Sequence, residues 1–336
     1  MPRVVVLGST NTDMIVRLPE LPAPGQTRLG GTFATSPGGK GANQALAARR
    51  AGAEVIFLTA VGDDEHGRQA LERYQVEGID VSHARTIAGV ASGVALIFVA
   101  ESGENMIGVA PGANLRITPD DIDRLPDSVF RPGTVFLASM EVPVETVARG
   151  LERARSAAMI TVLNPAPADT TLPDLDVFRL VDYLTPNRVE VRLLAGSSPL
   201  ATPNGVLRAA EDLVAMGVSH VVVTLGDEGS LLVVPSGFPR QVNAFPVVAV
   251  DTIGAGDAYN GVLAVALAEG LPVLDAMRRA SAAAALTVTR SGAQSALPDR
   301  AAIDRLLAEA GTDPSMSSKE LQRCPIDLQY PSRPSH

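Results

Sequence analysis

The chain of 336 residues has a single cysteine, Cys324, which excludes an internal disulfide and any cysteine-rich metal site. Tryptophan is absent and aromatic residues make up 4%, which disfavours a site that stacks a free nucleobase on rings. Basic residues number 28 against 37 acidic ones, a net charge of −9 with no Lys/Arg cluster, and this argues against nucleic acid as the main partner. No window approaches 18 uninterrupted apolar residues, so no membrane partner is expected. The N-terminal run Val4–Leu7 reads as a strand rather than a signal peptide, and a reducing cytoplasm is the expected setting. His66, His83, His220 and His336 have no metal-ligand spacing. No G-x-S-x-G elbow supports a serine hydrolase. A Walker A loop ending at Lys40 would need its first glycine at Ala34 and a Ser/Thr at Gly41. A G-x-G-x-x-G fingerprint would need glycine at Gln44 or Tyr259, so a nicotinamide dehydrogenase loses its sequence support.

What is present is a rhythm. Apolar β-type runs recur at Val4–Leu7, Val55–Thr59, Val94–Val99, Val135–Ala138, Ile160–Leu163, Val221–Leu225 and Leu231–Val234. Helical patterns separate several of them, at Ala42–Ala51, Glu65–Glu77, Val144–Ala157 and Asn204–Met216, and Ala258–Ala308 is mainly helical. Continuous apolar strands alternating with helices predict a three-layer α/β/α fold around a mostly parallel sheet. Two segments break the rhythm, within about residues 14–35 and 92–112, the second as strand, turn (Glu101–Glu104) and strand. Neither has room for a helix. Both are expected to form a small β-strand lid beyond the carboxyl ends of the sheet, where open α/β folds bind ligands. Residues 1–311 read as one domain and 312–336 as a disordered tail, polar and aperiodic.

The stretch that organises the rest is Asp251-Thr252-Ile253-Gly254-Ala255-Gly256-Asp257, between the β-branched run Pro246–Val250 and an Ala-rich helical pattern. Glycines at such a strand-to-helix turn let backbone approach a ligand, and the helix start offers free N–H groups to an anion. Asp257 has two readings there, a cap favoured by the helix dipole or a group aimed at the ligand. A second glycine-rich helix start is Gly38-Gly39-Lys40-Gly41-Ala42-Asn43-Gln44-Ala45, where Lys40 and Asn43 add donors. Asn11 and Asp13, two apart on an extended segment, could share a polyol's hydroxyls or serve turn chemistry. Polar groups also follow the other strands: Ser139-Met140-Glu141, Asn164-Pro165-Ala166-Pro167, Thr185–Glu190 and Thr224–Gly229. A parallel sheet brings such exits to one edge.

With these residues in hand the chain closely resembles the ribokinase family of ATP-dependent sugar kinases (the PfkB carbohydrate kinases), from about Arg3 to Leu307. The Gly-Gly-Lys-Gly-Ala-Asn-Gln form, with Asn11-x-Asp13 and Asn164–Pro167, is similar to its ribose-specific branch. The resemblance implies phosphorylation of the 5-hydroxyl of ribose, or alternatively of deoxyribose, fructose, a keto-deoxy sugar acid or a nucleoside. A non-catalytic sugar sensor on the same fold is a further alternative. It implies Asp257 as base, with Gly254, Ala255 and Gly256 as an anion hole. Asn11, Asp13, Gly39, Lys40, Asn43, Glu141 and Asp257 correspond to sugar contacts. Asn187, Thr224, Leu225, Gly226, Asp227, Glu228, Gly229, Gly256 and Ser281 correspond to the nucleotide site. Glu190 corresponds to a group that handles Mg²⁺, through bound water. Asp251, Ile253, Thr287, Arg290, Gly292 and Ala296 correspond to ligands of a monovalent cation, usually K⁺. The resemblance also implies a homodimer through the lid strands. A carboxylate at a helix N-terminus is favoured as the anion, so Asp257 is expected to be a weak base.

Overall fold

The computed structural model describes residues 1–172, 176–196 and 203–312. The chain begins with β1 (Arg3–Leu7), β2 (Asn11–Leu18), β3 (Thr32–Gly38) and α1 (Lys40–Arg50). Next come β4 (Glu54–Leu58), β5 (Ala60–Gly62), α2 (Glu65–Val76), β6 (Arg85–Ile87), β7 (Gly93–Ala100) and β8 (Asn105–Ala110). The middle holds α3 (Pro119–Asp123), β9 (Val135–Ser139), α4 (Val144–Ser156), β10 (Ile160–Asn164), β11 (Tyr183–Leu184), α5 (Arg188–Leu194) and α6 (Pro203–Ala215). The last third runs through β12 (His220–Thr224), β13 (Ser230–Val233), β14 (Arg240–Val242), α7 (Ala255–Ala268), α8 (Val273–Val288) and α9 (Arg300–Thr312).

The main sheet has eight strands in the order β14-β13-β12-β11-β10-β9-β1-β4. It is parallel from β4 to β12, and antiparallel where β13 and β14 join the edge. Side chains alternate across a strand, and the two cores divide on that period. Val4, Val6, Val55, Phe57, Val135 and Leu137 pack under α1, α7 and α8. Val5, Leu7, Ile56, Leu58, Phe136 and Ala138 pack under α4 and α6. Both faces are covered, which is why these strands read as unbroken apolar runs. Strands β4 and β9 lie on either side of β1, so the strand order reverses there. The carboxyl end of β1 is the crevice in which such sheets bind ligands.

A second sheet, β3-β2-β7-β8, is formed by the two segments that broke the rhythm. β2 and β7 run parallel with Asn11 opposite Gly93, and β3 pairs with β2 with Gly38 opposite Asn11. Both excursions therefore leave and re-enter the body beside the end of β1. A two-stranded pairing of β5 with β6 had no sequence signal beyond three residues each.

One expectation is corrected. Pro246–Val250 is not a strand but an extended arm outside any sheet, with Val248 and Val250 exposed. Pro246 has no N–H to give a ladder. The arm's only backbone ties to α8 run from Val250 N (2.7 Å) and Asp251 N (3.2 Å) to Val288 O. Its Pro246, Val247 and Ala249 instead wall a cavity. Residues 313–336, which include most of the expected tail and Cys324, lie outside the described residues.

Candidate active site

The strand exits converge as expected. Thr224 N bonds Pro186 O at 2.9 Å, tying the exit of β12 to that of β11. Asn164, ending β10, donates Nδ2 to Thr185 O at 3.1 Å. Above this edge stand the N-termini of α1 and α7, and glycine lets α1 sit against the exit of β1 and α7 against α1. A Cβ on Gly41 would lie 2.4 Å from the carbonyl carbon of Gly8, and one on Gly261 would lie 2.6 Å from Gln44 O.

Gly254 precedes α7 at φ 79°, a left-handed conformation that glycine adopts without strain. It turns the chain so that Ala255, Gly256 and Asp257 form the first turn of the helix. Asp257 is buried, and each carboxylate oxygen accepts one side-chain bond, Oδ2 from Asn43 Nδ2 (2.8 Å) and Oδ1 from Gln44 Nε2 (3.0 Å). Gln44 Nε2 also reaches Asn164 Oδ1 at 3.0 Å. Behind the helix turn, Asn260 donates to Gly256 O (2.9 Å) and accepts from Thr185 Oγ1 (2.5 Å). Gln44, Asn114, Thr185 and Asn260 were not assigned from the sequence. Gln44 could have been, since it follows Asn43 inside the glycine-rich motif. Thr185 stood at a polar strand exit without an assigned role, and Asn114 and Asn260 had no local signal.

The expected weak basicity of Asp257 is overturned. Burial pushes its pKa above the usual carboxylate value, outweighing Lys40 and the bonds from Asn43 and Gln44, while Glu141 pushes it further up.

Asn11, Asp13, Gly39, Lys40, Asn43 and Glu141 gather on the other side of Asp257. Glu141 Oε2 accepts from Ser9 Oγ (2.5 Å) and Lys40 N (3.2 Å), with Asn11 Nδ2 at 3.5 Å. Asp13 presses on Gly38, where a Cβ would meet its Oδ1 at 2.3 Å. Its pKa is pushed up to about 6, by burial first and then by Glu141 and Asp257. Burial works against the Lys40 charge, yet Asp257, Glu141 and Glu190 outweigh it and raise its pKa. Gly39, at φ 93°, brings backbone close to this cluster; a Cβ there would lie 2.8 Å from Asn11 N and Ser9 O.

Two cavities meet at Thr224, Gly226, Thr252 and Gly256. The first, about 440 Å³, is walled mainly by apolar groups such as Phe245, Val247, Tyr259 and Val288, with Ser281 and Asp227 among the few polar ones. The buried hydroxyl of Ser281 has no hydrogen-bond partner among the described residues. The second, about 510 Å³, holds Lys40, Asn187, Glu190, Leu225, Gly254 and Asp257. Asn187 caps α5 through Oδ1, accepting from Val189 N (2.8 Å) and Glu190 N (2.9 Å), and Glu190 Oε2 returns to Asn187 N at 2.8 Å. Glu190's pKa is raised, chiefly by burial, with Asn187 and Lys40 opposing and Asp257 adding. Gly229 lines the first cavity, whereas Glu228 lines neither and pairs with Arg188 at 2.6 Å.

The residues aligned with a monovalent cation form a junction between arm and loop. Asp251 accepts from Ile253 N (3.0 Å) and Gly292 N (2.9 Å), joining the arm to the loop after α8. Thr287 is buried, with Oγ1 turned to Ala283 O and its carbonyl accepting from Arg290 N. Ala296 N closes the loop on Ala293 O, and the Arg290 side chain is exposed. Among the described residues no group of three His, Cys, Asp or Glu could hold a metal alone.

Residues 1–300 match the pfkB family carbohydrate kinases. The chain belongs to that family. It is 37% identical over 297 residues to a ribokinase of Haemophilus influenzae, covering 88% of this chain and 95% of the relative. It is 36% identical over 295 residues to a deoxyribokinase of Salmonella typhi, with the same coverage. Among solved structures, Arabidopsis thaliana ribokinase complexed with ribose and ATP superimposes with a TM-score of 0.82 at 31% identity, covering 91% of this kinase and 98% of that chain. The family's reaction class, phosphoryl transfer to a sugar hydroxyl, accounts for a buried carboxylate between a polar cluster and a two-part cavity.

Proposed function

We propose that this kinase transfers the γ-phosphoryl group of ATP to the 5-hydroxyl of D-ribose, giving ribose 5-phosphate and ADP. The observation that carries the reading is Asp257, buried at the start of α7, held through both oxygens, and facing the polyol cluster on one side and the Lys40–Glu190 cavity on the other.

Asp257 takes the proton from the sugar hydroxyl as the oxygen attacks phosphorus. Its raised pKa makes it a better base than a carboxylate in water, and its two hydrogen bonds keep the remaining lone pairs aimed at the sugar. The N–H groups of Gly254, Ala255 and Gly256 receive the phosphoryl oxygens, and Lys40 balances their charge. The larger cost such a site offsets is that of bringing hydroxyl and phosphate into line. The apolar cavity takes the nucleobase, with the free Ser281 hydroxyl as one hydrogen-bonding partner. Asn187 and the Thr224–Gly229 turn line the path of the phosphates, although Glu228 is engaged with Arg188.

A magnesium ion brought in on nucleotide phosphates retains several waters, so one carboxylate suffices, and Glu190 is suited to it. It would neutralise charge on the phosphates. One carboxylate and several backbone carbonyls suit a monovalent cation such as K⁺ at Asp251, Ile253, Thr287, Arg290, Gly292 and Ala296, where it would brace the anion hole. The second sheet serves as the lid of a single domain. One face carries Phe33 (65% exposed), Leu96 (50%) and Met106 (52%), and pairing with a second copy would cover that face in a homodimer.

The test is ADP release with Mg-ATP and K⁺ across ribose, 2-deoxyribose, fructose, adenosine and a keto-deoxy sugar acid. A strong preference for ribose supports the reading. Preference for 2-deoxyribose, the second reading favoured by the Salmonella typhi relative, overturns the substrate and keeps the mechanism. Sugar-dependent thermal stabilisation without turnover moves the chain to the sensor class.

A further inference from the structure

We propose that Asn114 sets the sugar selectivity of this site by fixing which way the Asn11 side-chain amide points. Asn114 lies just after β8, where the chain returns from the second sheet, and it is 1% exposed. Its amide cannot be flipped. Thr10 N–H donates to Oδ1 at 2.9 Å, and Thr10 C=O accepts from Nδ2 at 3.1 Å. A backbone N–H only donates and a carbonyl only accepts, so both ends of the Asn114 amide are assigned. The remaining N–H of Asn114 goes to Asn11 at 2.8 Å, which obliges Asn11 to present its oxygen there. Asn11 Nδ2 is then turned toward Glu141 Oε2, 3.5 Å away. Gly93 keeps the contact closed, since a Cβ there would lie 2.1 Å from Asn11 Oδ1 and 2.3 Å from Asn114 Nδ2.

Asn11 is therefore a donor toward the polyol cluster, beside the acceptors Asp13 and Glu141. One sugar hydroxyl can accept from Asn11 Nδ2 while donating to a carboxylate. An analogue lacking that hydroxyl leaves both protein groups unpaired, which is how a polar site rejects a deoxy substrate. Asn114 acts only through Asn11, as a positioning residue.

The inference rests on the sugar-site assignment above, and the experiment separates the two. Asn114→Asp keeps the volume and the acceptor for Thr10 N–H. Its second oxygen removes the donor to Thr10 C=O as well as the donor to Asn11, so the Asn11 amide turns over and offers oxygen to the sugar. KM and kcat are measured for ribose, 2-deoxyribose and 3-deoxyribose, with melting temperature in parallel. About a tenfold rise in ribose KM is expected, with kcat kept within about twofold, the worth of one well-placed hydrogen bond. The preference over one deoxy sugar should shrink by a similar factor while the other ratio stays. In an Asn11→Ala background the same change should have no further effect on selectivity. Asn114→Ala, which deletes the tether without adding charge, should also narrow the preference. Unchanged sugar ratios with a lowered melting temperature, or effects that add to those of Asn11→Ala, would overturn the inference alone. A wild-type enzyme that turns over none of the three pentoses would sink the sugar site and this inference together.

Discussion

Asp13 is half-buried beside Glu141 and Asp257, and the cost of ionising it there is a measurable property of the free enzyme. Replacing Asp13 by Asn removes one charge from that group and keeps its shape. The folded pKa of about 6 lies above the ordinary value of 3.8. The folded state therefore holds the proton more tightly, so the stabilisation is complete below about pH 4 and is lost as pH rises through about 6. A shift of roughly two units makes ionised Asp13 unfavourable to folding by about 3 kcal/mol near pH 8, and by about half that near pH 5. Asp13→Asn should recover most of this. Urea unfolding at the two pH values, with the slope unchanged, measures it. The variant is expected to be more stable by about 2–3 kcal/mol near pH 8 and to lose much of that advantage near pH 5. Its ribose KM should rise at least about tenfold, because a carboxylate accepts from a hydroxyl more strongly than an amide oxygen does. Equal stability at the higher pH, or a gain that does not change with pH, would refute the reasoning: Asp13 would then not be held under electrostatic strain.

Asp257→Asn should lower kcat by about a thousandfold while sugar affinity, measured by calorimetry, stays within a few-fold and the melting temperature does not fall. Activity per unit of folded enzyme should increase with pH through the raised pKa of Asp257, and a flat acid limb in the wild type would count against its role as base. Gly39→Ala forces a Cβ into a left-handed position against Asn11 N and Ser9 O; a loss of about 1–3 kcal/mol in urea unfolding is expected, with a raised sugar KM. Asp251→Ala frees Ile253 N and Gly292 N, and should abolish both K⁺-dependent activation and K⁺-dependent thermal stabilisation.

Where the sequence was legible, the reason was periodicity joined to spacing. Val4–Leu7 and Val135–Ala138 are apolar at every position because both faces of the sheet are covered, so the layer architecture followed from composition. The glycines at 39, 41 and 254 could be read because a left-handed φ or close backbone approach leaves few alternatives to glycine. Pro246–Val250 misled, since β-branched residues suit a cavity wall as well as a ladder. The basicity of Asp257 misled because position on a helix is visible in sequence and desolvation is not. Asn114 was illegible for a different reason: it lies 103 residues from Asn11 in the chain, and the direction in which its amide meets Asn11 is set by the backbone of Thr10.

The two excursions that build the second sheet begin and end at the sugar cluster, with β2 starting on Asn11 itself. On the proposed assignment, part of the sugar-contact set is thereby carried on stretches separate from the helix start of α7. An exchange of residues 11–38 and 93–114 with those of a relative would transplant Asn11, Asp13 and Asn114 together, and would leave Lys40, Asn43, Glu141 and Asp257 in the recipient. On that assignment, recombining the flap would alter the polyol contacts it carries without rebuilding the helix start proposed to perform the transfer.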